Sequence, residues 1–191
     1  MPTKGSDTAK ELLDTAQRLV QERGYNAFSY KDLAEAVGIR TASIHYHFPS
    51  KADLGVAIMD RYTDDLSQAL SSIDADALES QAKLREFIAL YSQTKRCGAI
   101  CLCGSLASDR ETLPEQLQEA VTRYLVSSEA WLTQTLQHGV EQGEFTLTVE
   151  APDLAASLLS SLQGGLILSR ARGGRPLLSI VEQVFFSSIS T

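Results

Sequence analysis

Polar and aromatic side chains between residues 29 and 51 carry the donors and acceptors that binding to a nucleic acid requires. Arg40 has the fork of N–H groups that pairs with a guanine edge, and hydroxyl, imidazole and ammonium groups donate to phosphate oxygens. From residue type and position we predict base-edge contacts from Arg40, Thr41, Ser43 and His45. We predict phosphate contacts from Ser29, Lys31, Tyr46, His47 and Lys51.

Two short helices joined at a glycine would position these side chains. Ser29 with Asp32 three residues later is a helix-start signal, and Thr41 could cap a second helix in the same way. Gly38 suits the left-handed backbone that ends a helix. Ile44 and Phe48 would turn inward, which leaves the other face of the second helix exposed. Helices of this kind place their first residues against base edges in the major groove.

The segment DLAEAVGIRTASIHYHFPSKADL resembles the helix-turn-helix signature of the TetR family of transcriptional repressors. The match includes the aromatic-His-Phe run and the lysine that opens the next helix, and it covers about the first quarter of the chain. The resemblance implies that Thr41, Ser43, Tyr46, His47 and Lys51 occupy positions that commonly touch DNA. At position 45 an aromatic is more frequent in the family, so His45 departs from the pattern.

The same resemblance implies an all-α, TetR-like fold. A three-helix DNA-binding head would occupy residues 1–50, and a helical body for ligand binding and dimerisation would occupy residues 51–191. The implied function is that of a homodimeric, ligand-responsive regulator, a repressor that binds a pseudo-palindromic DNA operator and is released by a small-molecule or electrophile inducer. We predict no enzymatic activity, cofactor or metal.

Composition and charge agree with a protein that meets DNA in the cytoplasm. The 191 residues are 43% hydrophobic, without an apolar run near the roughly 20 residues that span a bilayer and without a secretion signal at the N-terminus. We therefore predict a cytoplasmic protein with no membrane partner. The net charge is −7, but residues 1–51 carry +1 and the remainder −8. An acidic body would repel DNA and help to orient the head, although counts this small can also arise by chance.

Helical periodicity extends along most of the chain. We expect a first helix from about Asp7 to Arg23, closed by Gly24, after which Tyr25, Ala27 and Phe28 cover the core of the head. A long helix should begin at Lys51 and run past Leu70. Further helices are expected at about 77–95, 100–109, 114–142, 152–171 and 176–188, with a short extended stretch at FTLTV.

Three cysteines, Cys97, Cys101 and Cys103, lie within seven residues. Their spacing is not that of a zinc site, and His45 and His47 would point about 200° apart on a helix, so we predict no metal. Two interpretations of the thiols stay open: small apolar packing groups, or a sensor of electrophiles that uses Cys97 or Cys101. The segment CLCGSLASD is similar to a stretch in a TetR branch that includes the repressor of N-ethylmaleimide reductase. A thiol enzyme would need a base, and His138 is the only histidine outside the head.

Two apolar segments near the C-terminus are the predicted dimer interface. Gly164 and Gly165 each cost about 1 kcal/mol in a helix relative to alanine, a cost consistent with close approach of a partner helix. Packing within one protomer is the alternative. The predicted interface residues are Leu158, Leu162, Gly164, Gly165, Ile167, Ile180, Val181, Val184 and Phe185.

Overall fold

A computed structural model describes residues 4–76, 79–96, 100–173 and 177–190 of the protein. These residues form nine α-helices: α1 (Lys4–Arg23), α2 (Tyr30–Val37), α3 (Thr41–His47), α4 (Lys51–Ala75), α5 (Ser80–Arg96), α6 (Leu102–Ser108), α7 (Glu115–Glu141), α8 (Ala151–Ala171) and α9 (Leu178–Ser188). A single 3₁₀ turn, Arg110–Thr112, follows α6. The predicted all-α fold is confirmed.

One small antiparallel pairing accompanies the helices. Strand β1 (Thr146–Leu147) lies within the predicted extended stretch and pairs with β2 (Ile189–Ser190), with Thr146 opposite Ser190. Within the described segments no helix is long and apolar enough to cross a bilayer. Among the same residues, no group of three or more His, Cys, Asp or Glu side chains is arranged to hold a metal ion.

The helices form two compact units. The first contains Met1–Asp64 and Leu102–Tyr124, and the second contains Asp65–Cys101 and Leu125–Thr191. Each unit therefore takes one part of α4 and one part of α7. The predicted division into a head (1–50) and a body (51–191) is a division by function, whereas the two units are defined by contacts between residues. The functional division stays a prediction.

The core of the first unit is built on α1. Leu12 and Ala16 are fully buried, as are Leu33 of α2 and Ile44 of α3. Each leucine or isoleucine that is removed from water in this way contributes about 1.5–3 kcal/mol. This core fixes the three N-terminal helices against one another.

The aromatic cover of this core differs in part from the prediction. Tyr25 and Phe28 are buried and meet edge to face with ring centroids 6.3 Å apart. Ala27, which we expected beside them, is exposed, and Phe48 is only half-buried. Ala27 and Phe48 therefore contribute less to this core than predicted.

In the second unit, α5, α7, α8 and α9 pack through aromatic and apolar side chains. The rings of Phe87 and Trp131 are stacked with centroids 5.5 Å apart. Arg85 of α5 lies over the ring of Phe186 at 3.9 Å and pairs with Glu182 of α9 at 2.9 Å. These contacts attach α9 to α5.

Gly139 and Glu144, at and just after the end of α7, make two specific contacts. A Cβ atom at Gly139 would lie 2.2 Å from Cζ of Phe145, so the buried Phe145 ring needs a glycine beneath it. The Glu144 carboxylate accepts hydrogen bonds from the backbone N–H groups of Ser80 (3.0 Å) and Gln81 (3.1 Å), and it thereby caps the start of α5.

Candidate nucleic-acid interface

A reciprocal capping box starts α2, as predicted. The Ser29 N–H donates to the Asp32 carboxylate at 2.7 Å, and the Asp32 N–H points back to Ser29 Oγ at 3.4 Å. The Ser29 hydroxyl also donates to this carboxylate at 2.5 Å. Bonds from the Ser29 side chain and from its backbone hold the pKa of Asp32 below its usual range. The Ser29 hydroxyl is thus occupied, and a phosphate contact from it must compete with Asp32.

The turn between α2 and α3 depends on Gly38. Its φ of +76° lies in the left-handed region, and its N–H donates to the Ala34 carbonyl at 2.9 Å. The Ile39 N–H donates to the same carbonyl at 3.0 Å. A side chain at position 38 would meet nothing within 4 Å, so strain in the backbone, not crowding, demands the glycine.

Helix α3 presents one buried and one exposed face, as predicted. Ile44 is fully buried, whereas Tyr46 is 84% exposed. Thr41, Ala42 and Ser43 are exposed as well. One correction concerns the start of the helix: Thr41 is its first residue, and Arg40, in extended backbone, stands at the N-cap without a side-chain capping bond.

A concave surface brings together four of the nine predicted contact residues, namely Arg40, Ser43, Tyr46 and His47. Ile39, Arg40, Ala42, Ser43, Tyr46 and His47 line it together with Thr8. Thr8 lies on α1, outside the turn motif, and our reading of the sequence missed it because nothing in its local pattern distinguishes it. Lys31 is exposed on α2.

His45 is not one of the residues that line this surface. Its Nδ1 lies 3.0 Å from the Pro49 carbonyl oxygen, and since that oxygen can only accept, Nδ1 carries the hydrogen. The imidazole also meets the Tyr30 ring at 4.8 Å, edge to face. His45 therefore supports the end of α3, which leaves its base contact as the least supported of the predictions.

A second capping box, which our sequence reasoning overlooked, opens α4. The Ser50 N–H and hydroxyl donate to the Asp53 carboxylate at 2.9 and 2.7 Å. Ser50 and Asp53 have the same three-residue spacing as Ser29 and Asp32, so the signal was present in the sequence. The Tyr30 hydroxyl donates to the Ser50 carbonyl at 2.6 Å and lies 3.0 Å from the Phe48 carbonyl oxygen, and it ties α2 to the turn before α4.

The Lys51 ammonium points into the head. It donates to the carbonyls of Tyr25 (2.6 Å) and Phe28 (2.5 Å), and it lies 4.5 and 4.4 Å from the centroids of their rings. Burial lowers the pKa of Lys51, and the nearby carboxylate of Asp109 opposes that change. A phosphate contact from the side chain would require these bonds to break.

The predicted sensor cysteines are inaccessible where they are described. Cys101 is 2% exposed and Cys103 is fully buried, and neither forms a disulfide. Cys97 lies outside the described residues. Both thiols are therefore shielded from reagents in solution.

The predicted interface residues divide between the core and the surface of the second unit. Leu158, Leu162, Gly165 and Phe185 are buried within the protomer. A Cβ at Gly165 would lie 3.1 Å from Leu178 Cδ2, so the close approach there is to the same protomer. The remaining residues and Leu168 form what we call the α8–α9 face: Gly164, Ile167 and Leu168 on α8, and Ile180, Val181 and Val184 on α9.

The α8–α9 face is apolar and mostly exposed. Val184 is 63% exposed and Ile180 45%, and a Cβ at Gly164 would meet nothing within 4 Å of the protomer. Val181 is half-buried. Monomeric proteins seldom leave several large apolar side chains together on one surface.

Two family models match the chain. One, described as "Bacterial regulatory proteins, tetR family", covers residues 12–58, and the other, described as "Tetracyclin repressor-like, C-terminal domain", covers residues 80–184. The first contains the two capping boxes and the glycine turn. The second covers more than half of the chain.

Curated relatives match along nearly the full length. The repressor DhaR of Mycobacterium sp. (strain GP1) is 25% identical over 185 residues, which are 94% of this chain and 91% of that protein. The repressor NemR of Escherichia coli K12 is 27% identical over 187 residues, 93% of this chain and 92% of that one. NemR represents the branch that the cysteine-bearing segment resembles.

Solved structures share the fold. A TetR-family regulator from Agrobacterium tumefaciens superposes with a TM-score of 0.93 at 29% identity, covering 98% of this chain and 100% of the other. A TetR regulator from Legionella pneumophila superposes with a TM-score of 0.87 at 33% identity, covering 100% and 99%. These proteins are regulators, and they give no support to the alternative of a thiol enzyme. The chain belongs to the TetR family of bacterial regulatory proteins, and it is a DNA-binding transcriptional regulator.

Proposed function

We propose that the protein is a ligand-released repressor that binds a pseudo-palindromic operator as a two-fold dimer. The observation that carries the proposal is the exposed face of α3, where Arg40, Ser43 and Tyr46 line one concave surface. Two copies of α3 would enter successive major grooves about 34–36 Å apart. The curated relatives DhaR and NemR are described as repressors, which supports the negative sign of the regulation.

Within the head, residue type and exposure determine which side chains we assign to base edges and which to phosphates. Arg40, Thr41 and Ser43, at the start of α3, are assigned to base edges. Lys31, Tyr46 and His47 are assigned to phosphates, and Thr8 joins them from α1 because it lines the same surface. Ser29 and Lys51 would contribute mainly through backbone N–H groups at helix starts, since their side chains are engaged within the head.

Charge supports this assignment of head and body. Residues 1–51 carry +1 and the rest of the chain −8. DNA, which is strongly anionic, is therefore repelled least at the head, and the field of the body helps to turn the head toward the duplex. We place the DNA-binding head at residues 1–50 and the ligand-binding and dimerisation body at residues 51–191. A regulator of bacterial DNA acts in the cytoplasm.

Binding to DNA from the chain's own promoter region tests the proposal. Arg40→Ala should change the preferred operator sequence, because a bidentate guanine contact discriminates between bases by about 1–3 kcal/mol. Arg172→Ala is the matched control, since Arg172 is an exposed arginine in the second unit. Footprinting and fluorescence anisotropy at several salt concentrations would measure both. If no promoter fragment binds more tightly than random DNA, the protein is not an operator-binding regulator.

The α8–α9 face is the proposed dimer interface. Its exposed valine and isoleucines would be buried by the same face of a second protomer in a four-helix contact. The face also borders a groove of about 420 Å³ lined by Ile180, Val184 and Phe185, which a second protomer would cover.

Val184→Glu should dissociate the dimer, because a carboxylate would be buried without a partner. Val126→Glu is the control, since Val126 is 58% exposed on α7. Light scattering after gel filtration would give the mass of each variant. A Val184→Glu protein that keeps the parent's mass would place the interface elsewhere.

Release from DNA would follow from a ligand bound in the body. An operator that spans two half-sites needs both heads in register, so a shift of a few ångströms in their separation removes contacts from one half-site. The measurement is scattering or crystallography with and without an inducer. Identical head separations in the two states would contradict this mechanism.

Electrophile release is a second route, suggested by the cysteine-bearing segment. Because Cys101 and Cys103 are buried, they should react slowly, which leaves Cys97 as the thiol to examine. Each cysteine is replaced by serine in turn, and operator release by a maleimide is measured. Equal release of all three variants and the parent would exclude thiol sensing.

A further inference from the structure

The 3₁₀ turn after α6 contacts the loop that leads into the DNA-reading helices. The Tyr25 N–H donates to the Asp109 carboxylate at 3.0 Å, across 84 positions of sequence. The Asn26 side-chain amide donates to Thr112 Oγ1 at 2.7 Å. One turn earlier, the Ser105 hydroxyl donates to the Val20 carbonyl near the end of α1 at 2.8 Å.

The loop is held from its other side by α4. Lys51 donates to the carbonyls of Tyr25 and Phe28, so Tyr25 is bonded through its N–H to Asp109 and through its carbonyl to Lys51. The loop begins at Gly24, whose φ of +91° reverses the chain, and a Cβ there would come within 3.4 Å of the Asp109 carboxylate. Residues 24–28 therefore have little freedom.

Helices α2 and α3, which carry the proposed DNA contacts, begin directly after this loop. Ser29 caps α2, and the left-handed Gly38 then fixes α3 relative to α2. Because Ser29 directly follows this loop, a shift of residues 24–28 would also shift the start of α2, and α3 with it. A displacement of about 1 Å at a recognition helix is large compared with the tolerance of a hydrogen bond to a base edge.

We propose that Asp109 and Thr112 are positioning residues for DNA binding, which hold the loop at residues 24–28 so that α3 meets the major groove in the correct orientation. Neither residue touches DNA in this account. The inference rests on the proposed operator binding, and it adds residues from outside both the turn motif and the predicted head.

The direction in which DNA affinity changes when Asp109 is replaced distinguishes a positioning role from simple charge repulsion. Asp109 is a carboxylate of a DNA-binding unit, so its negative charge on its own weakens binding to phosphates, and removal of that charge should tighten binding. A positioning role predicts the reverse, namely weaker operator binding when the Tyr25 bond is lost. Glu111, an exposed carboxylate in the same 3₁₀ turn, is the matched control for charge.

The experiment compares the parent with Asp109→Ala, Asp109→Asn, Thr112→Val and Glu111→Ala. Anisotropy would give affinities for an operator and for random DNA, and thermal melting would give stability. Asp109→Ala should weaken operator binding about tenfold, the effect of losing one charge-assisted hydrogen bond, and more than it weakens binding to random DNA. Asp109→Asn keeps an acceptor for the Tyr25 N–H and should recover most of the loss. Thr112→Val should weaken operator binding roughly threefold, and Glu111→Ala should bind as tightly as the parent or more so.

Three outcomes would overturn the inference. In the first, Asp109→Ala binds the operator as well as the parent does, whatever its melting temperature, which makes the contact a matter of stability only. In the second, Asp109→Ala and Glu111→Ala tighten binding alike, which makes Asp109 a simple repelling charge. In the third, operator and random DNA lose affinity equally. A parent protein that binds no operator would instead contradict the proposed function, and the two failures are therefore distinguishable.

Discussion

The Lys51 ammonium donates a hydrogen bond to the Tyr25 carbonyl at 2.6 Å and lies over the Tyr25 ring. The sequence pattern assigns this side chain to a DNA phosphate, but in the structure it binds carbonyl groups within the head. A cation at this position satisfies two carbonyl groups in a loop that has no regular secondary structure. Its effect on DNA binding would be indirect.

Lys51→Met should lower stability and leave the salt dependence of DNA binding unchanged. The methionine keeps an apolar stem but leaves two carbonyls without their charged donor, a loss of about 2 kcal/mol in the free energy of unfolding. For a chain of this size the melting temperature should fall by about 6 °C. Lys31→Met is the control, because Lys31 is exposed and should instead reduce the salt slope by about 1. If Lys51→Met reduced the salt slope of DNA binding and left the melting temperature unchanged, Lys51 would be a phosphate contact after all.

The raised pKa of Tyr30 leads us to expect a loss of stability at alkaline pH. Burial, together with the charge of Asp53, raises the pKa of Tyr30 to about 12 from the usual 10.0. Because the folded state favours the neutral phenol, this contribution is complete below pH 10.0 and is lost as the pH rises toward about 12. Melting temperatures of the parent and Tyr30→Phe, measured from pH 8 upward, should converge across that window. Tyr46→Phe, at an exposed site, is the control for removing a phenol hydroxyl.

Glu144 predicts sensitivity to acid. Burial opposes its ionisation, but the N–H groups of Ser80 and Gln81 donate to the carboxylate and hold the pKa of Glu144 below its usual 4.5. The stability that it contributes is present above pH 4.5 and is lost as the pH falls below that value. Glu144→Gln should therefore be less stable than the parent at pH 7, with a gap that closes in acid. Glu141→Gln, at an exposed site, is the control for removing a carboxylate.

Two glycines in helices should respond to alanine with opposite signs. Gly139→Ala forces its methyl group against the buried Phe145 ring and should cost about 1–3 kcal/mol of stability. Gly164→Ala meets no atom of the protomer and should gain up to about 1 kcal/mol from helix propensity. Chemical denaturation would measure both. If Gly164→Ala stabilises the fold yet raises the dimer dissociation constant, a partner helix lies against it.

Local signals in the sequence predicted most of the head. The pair Ser29 and Asp32 defines a helix start within four residues, and Gly38 defines a turn by its own backbone preference. The helices of the body followed from periodicity, because a buried stripe repeats along the chain wherever a helix packs. These features depend on neighbours in sequence, so one chain contains enough information to find them.

Contacts between distant residues could not be predicted in this way. The inward direction of Lys51 depends on carbonyls more than twenty residues away, and the bond from Tyr25 to Asp109 spans 84 positions. The roles of Gly164 and Gly165 also differ although they are neighbours, because a helix turns about 100° per residue and only Gly165 faces α9. Such relationships require the three-dimensional arrangement.

The sequence contains a single tryptophan, Trp131, which stacks on Phe87 and donates through its indole N–H to Asp74 at 3.0 Å. All three residues belong to the second unit, whereas the reading helices belong to the first. Indole emission excited at long wavelength will therefore report on the surroundings of Trp131 in the second unit, without any label. A spectral shift on adding a candidate effector in the absence of DNA gives a direct optical screen for the natural ligand.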